Sequence, residues 1–122
     1  MKYFLPILLV LFTLTSCKDK IIGTWKATGY NCYEKDNLVE EIQVTKNKDT
    51  YYAVKITGDN CIPAGDTTWF GKAIDPKIIK GKVYGLNYKT QKKGTEDCEI
   101  HFHNDSLHMI IDNEVVIFMS KK

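Results

Sequence analysis

From residue 21 onward, apolar and polar residues alternate in short runs, and no segment sustains a helical period. Period-two alternation bounded by turn residues predicts eight strands, near Gly23 to Tyr33, Val39 to Lys46, Thr50 to Thr57, Thr67 to Ile74, Ile78 to Tyr88, Cys98 to His103, Leu107 to Ile111 and Val115 to Ser120. Asn47-Lys48-Asp49, Asp75-Pro76, Asn104-Asp105 and Asp112-Asn113 carry residues that tolerate tight or left-handed backbone, so they read as turns. Two longer connections remain: a Gly58 to Asp66 loop with Gly58, Pro63 and Gly65, and a lysine-rich excursion from Thr90 to Asp97, expected to be mobile.

Eight consecutive antiparallel strands with short links close most economically into an up-and-down barrel, which removes exposed strand edges; an open sandwich is the alternative. The fold class expected is therefore all-β, a single up-and-down barrel. Alternation places Trp25, Ile42, Val44, Tyr52, Val54, Ile56, Trp69, Val83, Ile100, Phe102, Leu107, Met109, Val116 and Phe118 inside. Lys26, Lys55, Lys72, Lys80 and Lys82 then fall outside. Ala27, Gly29, Gly71, Ala73, Gly81 and Gly85 also fall inside, which is compatible with close strand approach or with a cavity.

The chain opens differently. Met1-Lys2 is a one-charge start, and Tyr3 to Leu14 is an uncharged apolar run, the core of a signal peptide. It is shorter than the roughly 20 apolar residues of a spanning helix. Leu14-Thr15-Ser16-Cys17 resembles the lipobox of bacterial lipoproteins, which implies cleavage before Cys17 and acylation of its sulfur. The expected organisation is a cleaved signal over 1–16, a lipidated tether over 17–21 and a barrel over 22–122. Lys18, Asp19 and Lys20 are expected to stay solvated as a spacer, and the envelope, specifically the outer membrane, is the expected location.

Composition narrows the partners. The charge is close to balanced at +2, and all 17 basic residues are lysine, so the bidentate arginine fork used on phosphate is missing and nucleic acid is not an expected partner. The membrane, through the lipid, is one expected partner; a small ligand or a protein is the other.

Ile22-Gly23-Thr24-Trp25-Lys26 resembles the opening strand of lipocalin-like barrels, in which a glycine-x-tryptophan puts the indole across one end. Thr57-Gly58-Asp59 through Pro63-Ala64-Gly65 to Thr68-Trp69 is similar to a stretch of small secreted bacterial barrels and of the substrate-receptor barrel in certain F-box proteins. The likeness implies a barrel and carries no F-box activity across. Locally, the same residues end one strand, stiffen a loop and start the next.

With Cys17 taken by lipid, Cys32, Cys61 and Cys98 can form one disulfide and leave one thiol. The strand pattern puts all three at one end of the barrel; Cys32 with Cys61 is favoured because it would pin the 58–66 loop, a choice the lipocalin-like reading supports, with Cys61 and Cys98 next. Trp25, Tyr30, Tyr33, Asp59, Trp69, Tyr84 and Tyr88 are candidate ligand or rim residues. A two-residue Asn104-Asp105 turn sets His101 opposite His108 with His103 on the same face, a candidate exterior metal site. No nucleophile elbow, metalloprotease helix or phosphate loop is present, so no catalytic residue, no enzyme activity and no cofactor is expected. The reading is a membrane-anchored, non-catalytic binding module, with a protein- or peptide-binding inhibitor of a hydrolase and a histidine-cluster metal binder as alternatives. Substituting Cys17→Ala is expected to release the protein from membranes or leave its precursor unprocessed, which mass measurement and membrane fractionation would detect; an unchanged mass and distribution would refute the anchor.

Overall fold

A computed structural model of the chain describes residues 19–29, 38–57, 62–87 and 92–122, of which 38, 86, 87, 92 and 93 are described by backbone alone. The signal segment, Cys17, Tyr30, Cys32, Tyr33, Asp59, Cys61 and Tyr88 lie outside the described residues.

The strands are β1 (Gly23–Gly29), β2 (Leu38–Asn47), β3 (Thr50–Thr57), β4 (Thr67–Asp75), β5 (Ile78–Asn87), β6 (Lys92–His103), β7 (Ser106–Ile111) and β8 (Glu114–Lys121). Each pairs antiparallel with its successor, and β1 pairs with β8, so the sheet is a closed up-and-down barrel as the alternation predicts. Polar turn residues make the tight links. Asn104 and Asp105 have φ of 46° and 60°, and Asp112 and Asn113 have 52° and 65°, the left-handed pair that two-residue hairpin loops require. At the Pro76-Lys77 turn the Asp75 carboxylate accepts the Lys77 amide at 2.7 Å.

One end of the barrel is plugged. Trp25 is fully buried, its indole N–H donates to the Ile21 carbonyl at 2.8 Å, and Phe102 meets it edge-on. The Lys121 ammonium stands 4.7 Å from the Trp25 ring centroid and donates to the carbonyls of Lys20 at 2.9 Å and Ile22 at 2.6 Å. Asp19 accepts the Ile21 amide at 3.0 Å and the Tyr51 hydroxyl, so the segment expected to be a solvated spacer is packed onto the barrel from Asp19 onward. The turns at 48–49, 76–77 and 104–105 share this end. The opposite, or far, end carries the 58–66 and 112–113 connections.

Three expectations are corrected. On β3 the buried residues are Tyr51, Ala53 and Lys55, while Tyr52 and Ile56 are exposed and Val54 is half-buried. The cause is one residue of loop: Asn47 pairs with Thr50 across a two-residue Lys48-Asp49 turn, so Val44 faces Ala53 rather than Tyr52, and a one-residue slip exchanges the faces. On β8 a bulge opposite Met109 and Ile110 turns Met119 inward and leaves Phe118 52% exposed, while Val116 and Ile117 are both half-buried against the core. Finally, β6 begins at Lys92, absorbing most of the expected Thr90 to Asp97 excursion, because Val83 to Asn87 continue the ladder with Glu96 to Lys92.

The glycines expected inside divide into two kinds, and Gly85 is exposed. A Cβ at Gly81 would lie 1.9 Å from the Phe70 carbonyl oxygen and one at Gly29 would lie 2.3 Å from that of Val116, so these positions serve close backbone approach. At Gly85, nearer the far end, nothing lies within 4 Å. Gly81→Ala is therefore expected to destabilise the fold by about 2–3 kcal/mol or more, and Gly85→Ala to change it by less than about 0.5 kcal/mol. Urea unfolding of the two variants checks this; equal effects would refute the distinction.

Candidate functional site

The plugged half of the interior is apolar: Trp25, Val44, Ile79, Leu107 and Met119 are all buried. The half toward the far end is different, because Glu40 and Lys55 are interior positions there. On β2, Glu40 precedes Ile42 and Val44 with the same parity, and its β1 partner is buried Ala27. On β3, Lys55 follows Tyr51 and Ala53, and only 2% of it is exposed. Its backbone is held independently of its side chain. The Lys55 amide donates to the Asp66 carbonyl at 3.0 Å, and its carbonyl accepts the Gly65 amide at 2.8 Å; Gly65 has φ of 95°. The Asp66 amide also donates to the Pro63 carbonyl at 3.2 Å, and Ile62 is buried. The described part of the Thr57 to Trp69 stretch thus works as a clamp on the end of β3.

Inside, Lys55 Nζ lies 2.8 Å from Glu40 Oε1. The pair is ionic, and one contact leaves further protons on the ammonium and a further lone pair on the carboxylate oxygen. Trp69 is the neighbour. It stands opposite Ala53, with Lys55 diagonal to it on the same face, and its buried indole N–H has no acceptor among the described residues. A donor left in that state costs about 1–3 kcal/mol. A β-bulge at Ala53/Val54 puts Thr68 and Trp69 both under cover, Thr68 donating its hydroxyl to the Ala53 carbonyl at 3.3 Å. The far half of the barrel therefore holds an ammonium, a carboxylate and an indole N–H side by side in its interior.

Cys98, expected at the start of β6 near the far-end cysteines, faces Gly81 partway along the strand and is a buried free thiol. Burial, reinforced by the Asp97 and Glu99 carboxylates, pushes its pKa up to about 11. It stays protonated and inert at neutral pH. Tyr51 at the plugged end is also raised, by burial first and then by its hydrogen bond and charge contact with Asp19.

The three histidines take the register expected, His101 opposite His108 and His103 opposite Ser106, across a two-residue turn. Their side chains go to separate partners: His101 to Glu99 at 3.5 Å, His108 to the Phe118 ring and Ser106 Oγ, and His103 toward Asn104. Among the described residues no group of three His, Cys, Asp or Glu side chains is arranged to hold a metal ion. Shared register brings backbones together, and competing neighbours turn the imidazoles apart.

Of the other candidates, Trp25 serves the plug and Trp69 lines the polar half. Tyr84 lies on the outer wall, where Tyr52, Phe70 and Tyr84 form a row with ring centroids 6.3 and 5.8 Å apart. Lys55 and Glu40 escaped the sequence reading because Tyr52-x-Val54-x-Ile56 imitates an inward face; the small Ala53, which makes room beside Trp69, was the available signal. No protein-family profile, curated protein or solved structure matches the chain in the comparisons made.

Removing one member of the ion pair is expected to expose its cost. Lys55→Met alone should destabilise the protein by about 3–5 kcal/mol, whereas Lys55→Met/Glu40→Leu should be neutral or stabilising by about 1–4 kcal/mol. A double-mutant cycle in urea measures the coupling, and strictly additive effects would dismiss the pair.

Proposed function

We propose that this protein is a lipid-anchored envelope lipoprotein whose barrel is a non-catalytic binding module, with its ligand site in the far half of the interior. The observation that carries the reading is the set of buried polar atoms there: Lys55 Nζ and Glu40 Oε1, which face each other at 2.8 Å, and Trp69 Nε1, which has no acceptor among the described residues. Buried polar groups in folded proteins are nearly always satisfied, and those that are not call for an explanation. A ligand presenting a carboxylate or carbonyl oxygen would supply the acceptor that the indole N–H and the remaining ammonium protons lack.

A second reading, a protein- or peptide-binding surface, draws on the aromatic row Tyr52, Phe70 and Tyr84 with exposed Ile56 beside it on β3. Tryptophan fluorescence separates the two readings. Titration with fatty acids and small aromatic carboxylates is expected to give a saturable change from Trp69. The change should disappear in Trp69→Phe, which keeps Trp25, and binding should weaken at least about tenfold, or 1.4 kcal/mol, in Lys55→Met/Glu40→Leu. Wild-type protein that shows no saturable change with these compounds would sink the interior site and leave the outer wall.

A further inference from the structure

We propose that the plugged end of the barrel is a membrane-docking face, held flat against the phospholipid headgroups so that the far end, with its polar interior, points away from the bilayer. The inference rests on the lipid anchor at Cys17 proposed above and adds what the structure says about where that anchor leaves the domain.

The chain's point of departure from the barrel is immobilised. Asp19 is tied to the Tyr51 hydroxyl and to the Ile21 amide, and Lys46 Nζ stands 3.8 Å from its carboxylate. Ile21 is buried, its carbonyl accepts the Trp25 indole N–H, and Lys121 grips the carbonyls on either side of it. The segment between Asp19 and the barrel is thus bonded to the barrel at Asp19, Lys20, Ile21 and Ile22. Cys17 is two residues upstream of Asp19, and two residues of chain span at most about 7 Å. A lipid on Cys17 therefore brings the surface around Asp19 to the headgroup layer. A domain on so short a leash cannot turn its other end to the membrane, because the far end is the whole length of the strands away.

The chemistry of that surface suits the partner. Lys48 and Lys77 project from the 48–49 and 76–77 turns and Lys20 from the terminal segment; all three are exposed and have no ion-pair partner among the described residues. Asp75 and Asp105 are the carboxylates that share this end without an ion pair among the described residues, and Asp75 keeps its charge while accepting the Lys77 amide. Lys72 is matched by Asp49 and Lys122 by Glu41. Lys20, Lys48 and Lys77, with Lys121 bonded only to carbonyls, outnumber Asp75 and Asp105, so the unpaired side-chain charge is positive, as an anionic headgroup layer favours. The lysine stems are long enough to lie along the interface with their ammonium groups among phosphates.

The experiment uses the full lipidated protein in vesicles of phosphatidylethanolamine and phosphatidylglycerol, carrying Asn113→Lys as an internal reference at the far end. Lysines are modified with a water-soluble amine reagent and read by mass spectrometry. Lys48 and Lys77 are expected to react at least about tenfold more slowly than the reference amine. Inserting a long glycine-serine spacer between Lys18 and Asp19 should bring the rates together, because a longer tether lets the domain rotate. Lipidated, vesicle-bound protein in which Lys48 and Lys77 react as fast as the reference, or keep their protection despite the spacer, would overturn the docking face alone. Protein with an unmodified Cys17 that fails to float with the vesicles would overturn both the anchor and the orientation, and its mass distinguishes that failure from the first.

Discussion

The barrel depends on the contact among Trp25, Ile21 and Lys121. Closing a sheet requires its first and last strands to meet, and β1 with β8 is the pairing of longest sequence separation in the molecule. Lys121, near the end of β8, lies over the indole at the start of β1 and donates to two carbonyls of the segment that precedes it. One side chain thereby ties the final strand to the first and to the residues leading into it. The indole in turn spends its N–H on Ile21, which leaves the ring faces for Phe102 and the ammonium. Because these groups seal one end, the other end is where the interior can be polar.

The two halves of the interior illustrate opposite solutions to burial. Around Trp25 the side chains are apolar or fully partnered, and burial there stabilises the fold directly. Around Lys55 the structure buries a charged pair and an indole N–H, which is a poor way to gain stability: such a pair is frequently no better than hydrophobic side chains of the same volume. The asymmetry along the barrel axis matches the asymmetry of its ends, a sealed one where the chain emerges and a polar-lined one opposite.

Irregularities of pairing decide which residues reach each half. Bulges at Ala53/Val54 and Met109/Ile110 alter the inward face partway along a strand, so Thr68 and Trp69 are both covered and Val116 and Ile117 share one inward position. The Gly71–Gly81 pair lets β4 and β5 approach without Cβ atoms between them. These devices curve the sheet enough to close it.

Local chemistry was legible in the amino-acid sequence. Alternation marked eight strands and asparagine and aspartate pairs marked the two-residue turns, because each follows from the conformational preferences of a few adjacent residues; Gly23-Thr24-Trp25 pointed to an indole across one end only through its resemblance to lipocalin-like barrels. The facing of β3 was not, since it hangs on whether the Asn47 to Thr50 turn spends two residues or three, and both lengths suit those side chains. Lys55 consequently read as a surface lysine, when pairing of β3 with both neighbours turns it inward beside Glu40. The same holds for Cys98 and the histidines: register put them at their positions, but the depth of the thiol depends on β6 continuing back to Lys92, and the imidazoles follow their nearest partners. Side-chain periodicity belongs to the chain, whereas the choice between its two faces belongs to the closed sheet, in which every strand must satisfy two neighbours at once.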